Sequence, residues 1–414
     1  MTILEQQIEK QKNMQQKIVP WINLNFLFLW IGSIISNFGL QMYMVTIPLL
    51  IYHMSKSPLA MSTMRAVEFF PNILLGLIAG VFIDRFYRKK IMSVMTLIQL
   101  FFVGALLLLL WIDQLLIWHL FIIGFFLSAA NFTFINTQHS IVPLIVEKNQ
   151  LTEANAKLTL VYTVVNLIGP GIAGILLAVY SYKISFAIYF VCLFLMFFTV
   201  NLVRLDKNSV PKKEKSSVIK EIKEGLFELF GNKTLLIPTI VILIINFSAS
   251  LIIGINIFYA TEYLGASERQ IGYILSISAV GGLISSLIVP KITKTIARGK
   301  IFVYSLLFDA LGVFFLLIST SWWVMAIGLF IRLFGVTTMS IIYLTIRQEL
   351  TPNHLLGRVT SSSSMLMRLA APLGLFVSGI WAEYYSVKNI YIFSIAIVIC
   401  LFVILSTHKI RHFK

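Results

Sequence analysis

The chain turns apolar twelve times, in runs at roughly 22–50, 61–83, 91–111, 115–138, 158–180, 184–203, 235–261, 271–290, 301–319, 322–346, 362–382 and 389–407. Each run is long enough, as a helix, to cross a hydrocarbon core about 30 Å thick. Lipid offers no hydrogen-bond partner, so every backbone N–H and C=O in such a run must be satisfied within its own segment, which forces helix. The expected fold is an all-α integral membrane protein with twelve transmembrane helices. Composition agrees: 12% of the residues are charged, against about 25% in soluble domains. The opening stretch "MTILEQQIEKQKNMQQKIVP" is polar and the run after it exceeds a signal-peptide core, so no cleaved leader is expected.

A net charge of +16 could signal a nucleic-acid partner, but the positions of the charges argue otherwise. Taking alternate loops together with both ends, one side collects 26 of the 33 Lys and Arg. The opposite loops hold Lys56, Lys183, Arg269 and Lys388, and Arg65, Arg332 and Arg368 fall inside runs. By the positive-inside rule both termini are expected in the cytoplasm of a plasma-membrane protein, with the bases at the lipid headgroups. No nucleic acid partner is expected. Cys192 and Cys400 lie in apolar runs without ligand neighbours, so no metal and no cofactor is expected either.

The one long loop splits the runs six and six. The expected organisation is a segment 1–21, a six-helix bundle over 22–203, a linker over 204–234, a second bundle over 235–408 and a tail over 409–414. Within the linker, Val218, Ile222, Leu226 and Leu229 share one helical face, the pattern of a helix lying on a membrane surface. The halves echo each other. Gln138 in "TQHSIVPLI" and Gln348 in "IRQELTPNHLLGR" are 210 positions apart; Pro170 in "LIGPGIAGIL" and Pro372 in "LAAPLGLFVSGI" are 202 apart. A six-helix unit used twice accounts for both offsets, and such internal symmetry is typical of secondary transporters.

The stretch "GVFIDRFYRKKIM", 80–92, interrupts this apolar chain with Asp84, Arg85, Arg88, Lys89 and Lys90. It resembles the G-x-x-x-D-R-x-x-R-K/R signature between the second and third spans of the major facilitator superfamily. "VPLIVEKNQLTEANA" with "GPGIAGIL", and "LTPNHLLGRVTSSSSMLMRLAAPLG", resemble the drug-exporter branch that includes macrolide efflux proteins and the enterobactin exporter. The resemblance implies two pseudo-symmetric six-helix bundles that rock about a central pocket. It also implies a gating loop formed by Gly80, Asp84, Arg85, Arg88 and Lys89, with Asp84 facing the start of the eleventh span. Gly169, Pro170 and Gly174, with Pro372 and Gly374, become a pliant helix seam, since glycine admits close helix approach and proline omits a hydrogen bond. Many proton-coupled members carry an arginine in span four. Here nothing basic lies between Asp113 and His139, and Arg332 stands in span ten instead.

Ionisable groups at membrane depth are functional hypotheses by default. Asp309 lies nine residues past Lys300 and Arg332 nine past Trp323. At about 1.5 Å per residue each is roughly 13 Å deep, entering from opposite sides on consecutive spans. They can pair, either as a permanent brace or as a switch. Glu68 is about 10 Å deep with Arg65 at i−3, and is either a proton carrier or Arg65's static partner. Arg368 can snorkel, meet Asp84 or meet an anionic substrate. Spans one, four, seven and ten line the cavity in the fold that the resemblance implies. They supply Asn37, Gln41, Asn131, Asn136, Asn246, Asn256 and Tyr343, among aromatic residues. The reading is a monomeric secondary transporter that exports hydrophobic or amphiphilic small molecules, with a proton as coupling ion. A siderophore or lysophospholipid carrier of the same fold is the alternative. A phosphate loop, a zinc-protease motif and a nucleophile elbow are all missing, which weighs against ATP-driven transport and a polytopic membrane enzyme, and paired halves with a latch loop weigh against a channel.

Overall fold

The computed structural model describes residues 22–76, 83, 86–205, 226–351 and 355–412. Gly80, Asp84, Arg85, Val218 and Ile222 lie outside them. Twelve long helices run α1 Leu24–Ser55, α2 Pro58–Gly76, α3 Arg88–Trp111, α4 Ile117–Ile145, α5 Leu151–Val179, α6 Tyr182–Leu202, α7 Lys233–Glu262, α8 Glu268–Ile292, α9 Arg298–Leu317, α10 Trp322–Leu350, α11 Leu356–Tyr384 and α12 Val387–Thr407. No strand occurs among the described residues. Eleven of the twelve are long and apolar enough to span a bilayer on their own account. The described part of α2 falls short because Arg65, Glu68 and Asn72 lower its apolarity.

Several helices outrun their apolar stretches. α4 continues to Ile145, α5 starts at Leu151 and α10 continues to Leu350. Helical hydrogen bonding does not require apolar side chains, so a helix leaves the bilayer and continues until capping chemistry stops it. Asn23 caps α1, its Oδ1 accepting from Phe26 N–H at 2.8 Å while its Nδ2 donates to the Ile145 carbonyl at the end of α4. α1 ends where Lys56 turns left-handed, φ 54°. Ser267 and Gln270 form a reciprocal capping box on α8.

Chain direction puts one set of helix ends beside residues 22 and 412, here the tail end; the other is the far end. Helices α1–α6 pack on one another, as do α7–α12, and the halves meet along α5–α8 and α2–α11. The buried apolar core shows how firmly they meet. At the far end a single cluster crosses both halves, joining Met42, Leu106 and Tyr189 to Ile255, Ile271 and Tyr391. At the tail end each half keeps its own, around Phe26, Met92 and Val142 in one and Phe302, Ile342 and Leu405 in the other. Among the described residues, the halves therefore share one core at the far end and keep separate cores towards the tail end.

Candidate functional site

A cavity of about 450 Å³ occupies the tail-side half of the first bundle. Asn37 of α1 and Asn131 of α4 line it; Gln138, His139, Asn155 and Asn166 add further polar groups, and Phe134, Tyr162, Tyr189 and Leu193 supply the apolar wall. No carboxylate, lysine or arginine is among the lining residues. The amides are held in place. Asn37 Nδ2 donates to the Ser33 carbonyl at 2.7 Å and Gln41 Nε2 to Asn166 Oδ1 at 2.7 Å, which leaves Asn37 Oδ1 as a spare acceptor beside the space. Asn136 Nδ2 is taken up by the Phe132 carbonyl at 2.7 Å.

Among the described residues, none of the second half lines this cavity. Asn246 donates to the Met367 carbonyl at 3.4 Å and so ties α7 to α11. Tyr343 shares a 3.0 Å hydrogen bond with Thr239, tying α10 to α7. Asn256 is buried with its Oδ1 unpartnered. Where a cavity shared by spans one, four, seven and ten was expected, α3, α5 and α6 line this one through Thr96, Gln99, Asn155, Thr159, Tyr189 and Met196. Thr159, Tyr162 and Asn166 recur every third or fourth residue on α5, a signal that was present in the sequence.

Both intramembrane acids are paired. Arg65 Nη1 reaches Glu68 Oε2 at 3.0 Å while its Nη2 donates to the Met44 carbonyl at 2.6 Å, and Ser128 donates to the Glu68 carbonyl. Asp309 Oδ1 and Arg332 Nε stand 3.1 Å apart, with the two side chains 1% and 5% exposed. Glycines make that approach possible. A Cβ on Gly312 would sit 2.6 Å from Arg332 Cβ, and one on Gly335 2.8 Å from the Ser305 carbonyl oxygen. Removing either partner alone would strand a buried charge, the costly outcome for such pairs.

The glycines named from sequence divide between two kinds of contact. Gly174 faces α8 of the other half, where an added Cβ would lie 2.9 Å from Gly272 Cα. Gly272 in turn faces the Pro170 carbonyl, and Gly171 N–H donates to Ser276 Oγ at 2.9 Å. Gly169 lies against Gln41 of α1. Gly374 packs on Phe247 and Ser250 of α7, within its own half, while Gly379 meets Ser62 and Leu59 of α2. Gly379 thus does for α2–α11 what Gly174 does for α5–α8. Pro372 lies inside α11.

Two carboxylates close the far end. Glu262 of α7 accepts from the Tyr52 hydroxyl of α1, and Glu383 of α11 accepts from Ser57 Oγ at 2.7 Å and Leu59 N–H at 3.4 Å, capping the start of α2 from across the interface. At the tail end, Arg88 opens α3 as a buried residue and Lys89 Nζ donates to the Asn201 carbonyl at 2.7 Å.

Long apolar helices in two matched halves, joined at the far end, with a polar cavity in the first half, define a secondary transporter of the major facilitator kind. The chain belongs to the family described as Transmembrane secretion effector (MFS_3), which matches residues 16–414. It is 24% identical over 395 residues to macrolide efflux protein A of Streptococcus pyogenes, covering 94% of this chain and 96% of that one. It is 23% identical over 387 residues to the multidrug resistance protein MdtG of Proteus mirabilis, covering 90% and 93%. Its fold matches a bacterial homologue of the iron transporter ferroportin with a TM-score of 0.74 at 18% identity, over 93% of this chain and 99% of the other.

Proposed function

We propose that this transporter exports bulky amphiphilic small molecules by alternating access, loading them from the cytoplasm. The observation that carries the reading is the division of the core: one cluster spans both halves at the far end, and separate clusters leave the tail end parted over the cavity. The charge bias of the loops makes the tail end cytoplasmic, so this is the loading conformation. An apolar, aromatic wall with a few fixed amides suits a ligand with a large apolar body and scattered hydrogen-bond groups. The efflux and multidrug names of two relatives point the same way.

On this reading the bundles span 22–203 and 235–408, joined by the linker 204–234, and the protein works as a monomer. The far-end contacts of Glu262 and Glu383 and the Gly174–Gly272 seam must break for release. A loop of Gly80, Asp84, Arg85, Arg88 and Lys89 closes the tail end in the alternate state. Protons drive the cycle through Glu68, with Asp309 and Arg332 as the second candidate. The test is uptake of a drug panel into inverted membrane vesicles, with pH and sodium gradients imposed separately. Uptake is expected with an acid-inside pH gradient and to be lost in Glu68→Gln, which keeps substrate binding. Uptake indifferent to collapse of the pH gradient rejects proton coupling, and a panel with no transported member rejects amphiphile export.

A further inference from the structure

Three arginines lie within apolar runs and a fourth, Arg347, just past the tenth; three of the four are engaged. Arg65 is paired with Glu68, Arg332 with Asp309, and Arg347 donates to Ser363 at 3.0 Å and lies over the Tyr343 ring. Arg368 is different. It is exposed, and among the described residues it has no acid and no hydrogen-bond acceptor. It lies over the Phe132 ring of α4, whose centroid is 6.0 Å from the guanidinium carbon.

Position sharpens the contrast. Arg368 is twelve residues into the 29-residue α11, about 18 Å from its tail end at the helical rise. The first turns of α11 precede its apolar span, Ser362–Tyr384, so Arg368 lies six residues, about 9 Å, into that span. The lipid-facing stripe of α11 is Leu369, Leu373, Phe376 and Ile380, all exposed. Arg368 instead shares a face with Gly379, three turns on, which packs against α2 of the other half. The guanidinium therefore points between the halves, where they part. Phe132 beneath it lies two turns from His139 on one face of α4, and His139 lines the cavity. Among the described residues that line the cavity there is no carboxylate to neutralise the cation.

We infer that Arg368 anchors an anionic group of the transported molecule, so that the substrate class is an amphiphile bearing a carboxylate, sulfonate or phosphate. This rests on the export reading above and narrows it. The guanidinium forms charge-assisted hydrogen bonds to the anion, strengthened by the low dielectric between the bundles, while the apolar body occupies the wall of Phe134, Tyr162 and Leu193. A cationic amphiphile meets repulsion at the same place.

The test uses the full-length protein in neutral detergent and three probes with one body: 11-(dansylamino)undecanoic acid, its terminal amide and the matching terminal amine. Binding is read by energy transfer from tryptophan to dansyl. The acid is expected to bind about 10-fold more tightly than the amide, with the amine weakest. Arg368→Gln should erase the difference between acid and amide, and Arg368→Lys should keep most of it. Acid and amide binding equally to the wild type, or a preference that survives in Arg368→Gln, overturns the inference and leaves amphiphile export standing. Failure of all three probes to bind overturns both. If Arg368→Gln does not fold, the wild-type preference and Arg368→Lys decide. Displacement of the acid by phosphatidylglycerol but not by phosphatidylcholine would assign the anchor to a lipid headgroup and overturn the substrate assignment.

Discussion

The contact between α5 and α8 offers the most direct test of rocking halves. In Gly174→Ala the new Cβ would lie 2.5 Å from the Glu268 carbonyl oxygen, 2.9 Å from Gly272 Cα and 3.1 Å from Gly272 N. All three are backbone atoms, so no rotamer change relieves the clash. Ordinary carbon–carbon contact is about 3.5–4.0 Å, so the helices must separate by roughly 0.6–1.1 Å. Overpacking of this kind costs about 1–3 kcal/mol. The strain exists only while the far end is closed, because the opposite state parts α5 from α8. The full cost therefore acts on the conformational equilibrium, shifting it by about 5- to 150-fold towards the far-end-open state. Spin labels at Lys56→Cys and Tyr384→Cys, in a background with Cys192 and Cys400 replaced by alanine, report the far-end separation. A longer-distance population should grow in Gly174→Ala and exceed that of Ile172→Ala, an exposed position on the same helix. An unchanged distance distribution together with unchanged transport refutes the idea that this seam opens.

Three further outcomes follow from the same geometry. Asp309→Asn leaves Arg332 buried without its counter-charge and should destabilise the protein by about 3–5 kcal/mol, whereas Asp309→Leu with Arg332→Met should be neutral or more stable; thermal unfolding in detergent reads both. If that double variant also transports uphill at the wild-type rate, the pair is a brace and carries no coupling. Glu383→Gln weakens the cap on α2 across the interface and should increase far-end opening several-fold, by about 0.5–2 kcal/mol, measured with the same spin-label pair. Asn131→Ala removes a polar group from the cavity wall and should weaken substrate binding by about 2- to 10-fold, the usual 0.5–1.5 kcal/mol of a hydrogen bond, without altering thermal stability.

Much of this architecture follows from order along the chain. Span number, charge bias between the two sides and the six-helix repeat are one-dimensional patterns, imposed by bilayer thickness and by the need to satisfy backbone groups within a segment. The same logic reaches two side-chain pairs. Arg65 and Glu68 are one helical turn apart, and Asp309 and Arg332 lie at matched depth on a helical hairpin, so neither pair needs knowledge of distant packing.

What the line of residues left open is which faces meet. In a membrane the lipid-facing and partner-facing sides of a helix are both apolar, so amphipathic periodicity does not separate them. Gly379 lay inside a segment already singled out by the repeat, yet only the tilt of α11 against α2 selects it over Gly374 for the contact between halves. Glu383 and Ser57 are 326 positions apart and meet because the halves close at the far end. Among the described residues, the polar cavity lies within the first half and Arg368 stands beside Phe132 of the other half, neither of which spacing along the chain could give. Depth is a property of one helix and can be counted from where its apolar run begins; facing is a property of two helices and exists only once they pack.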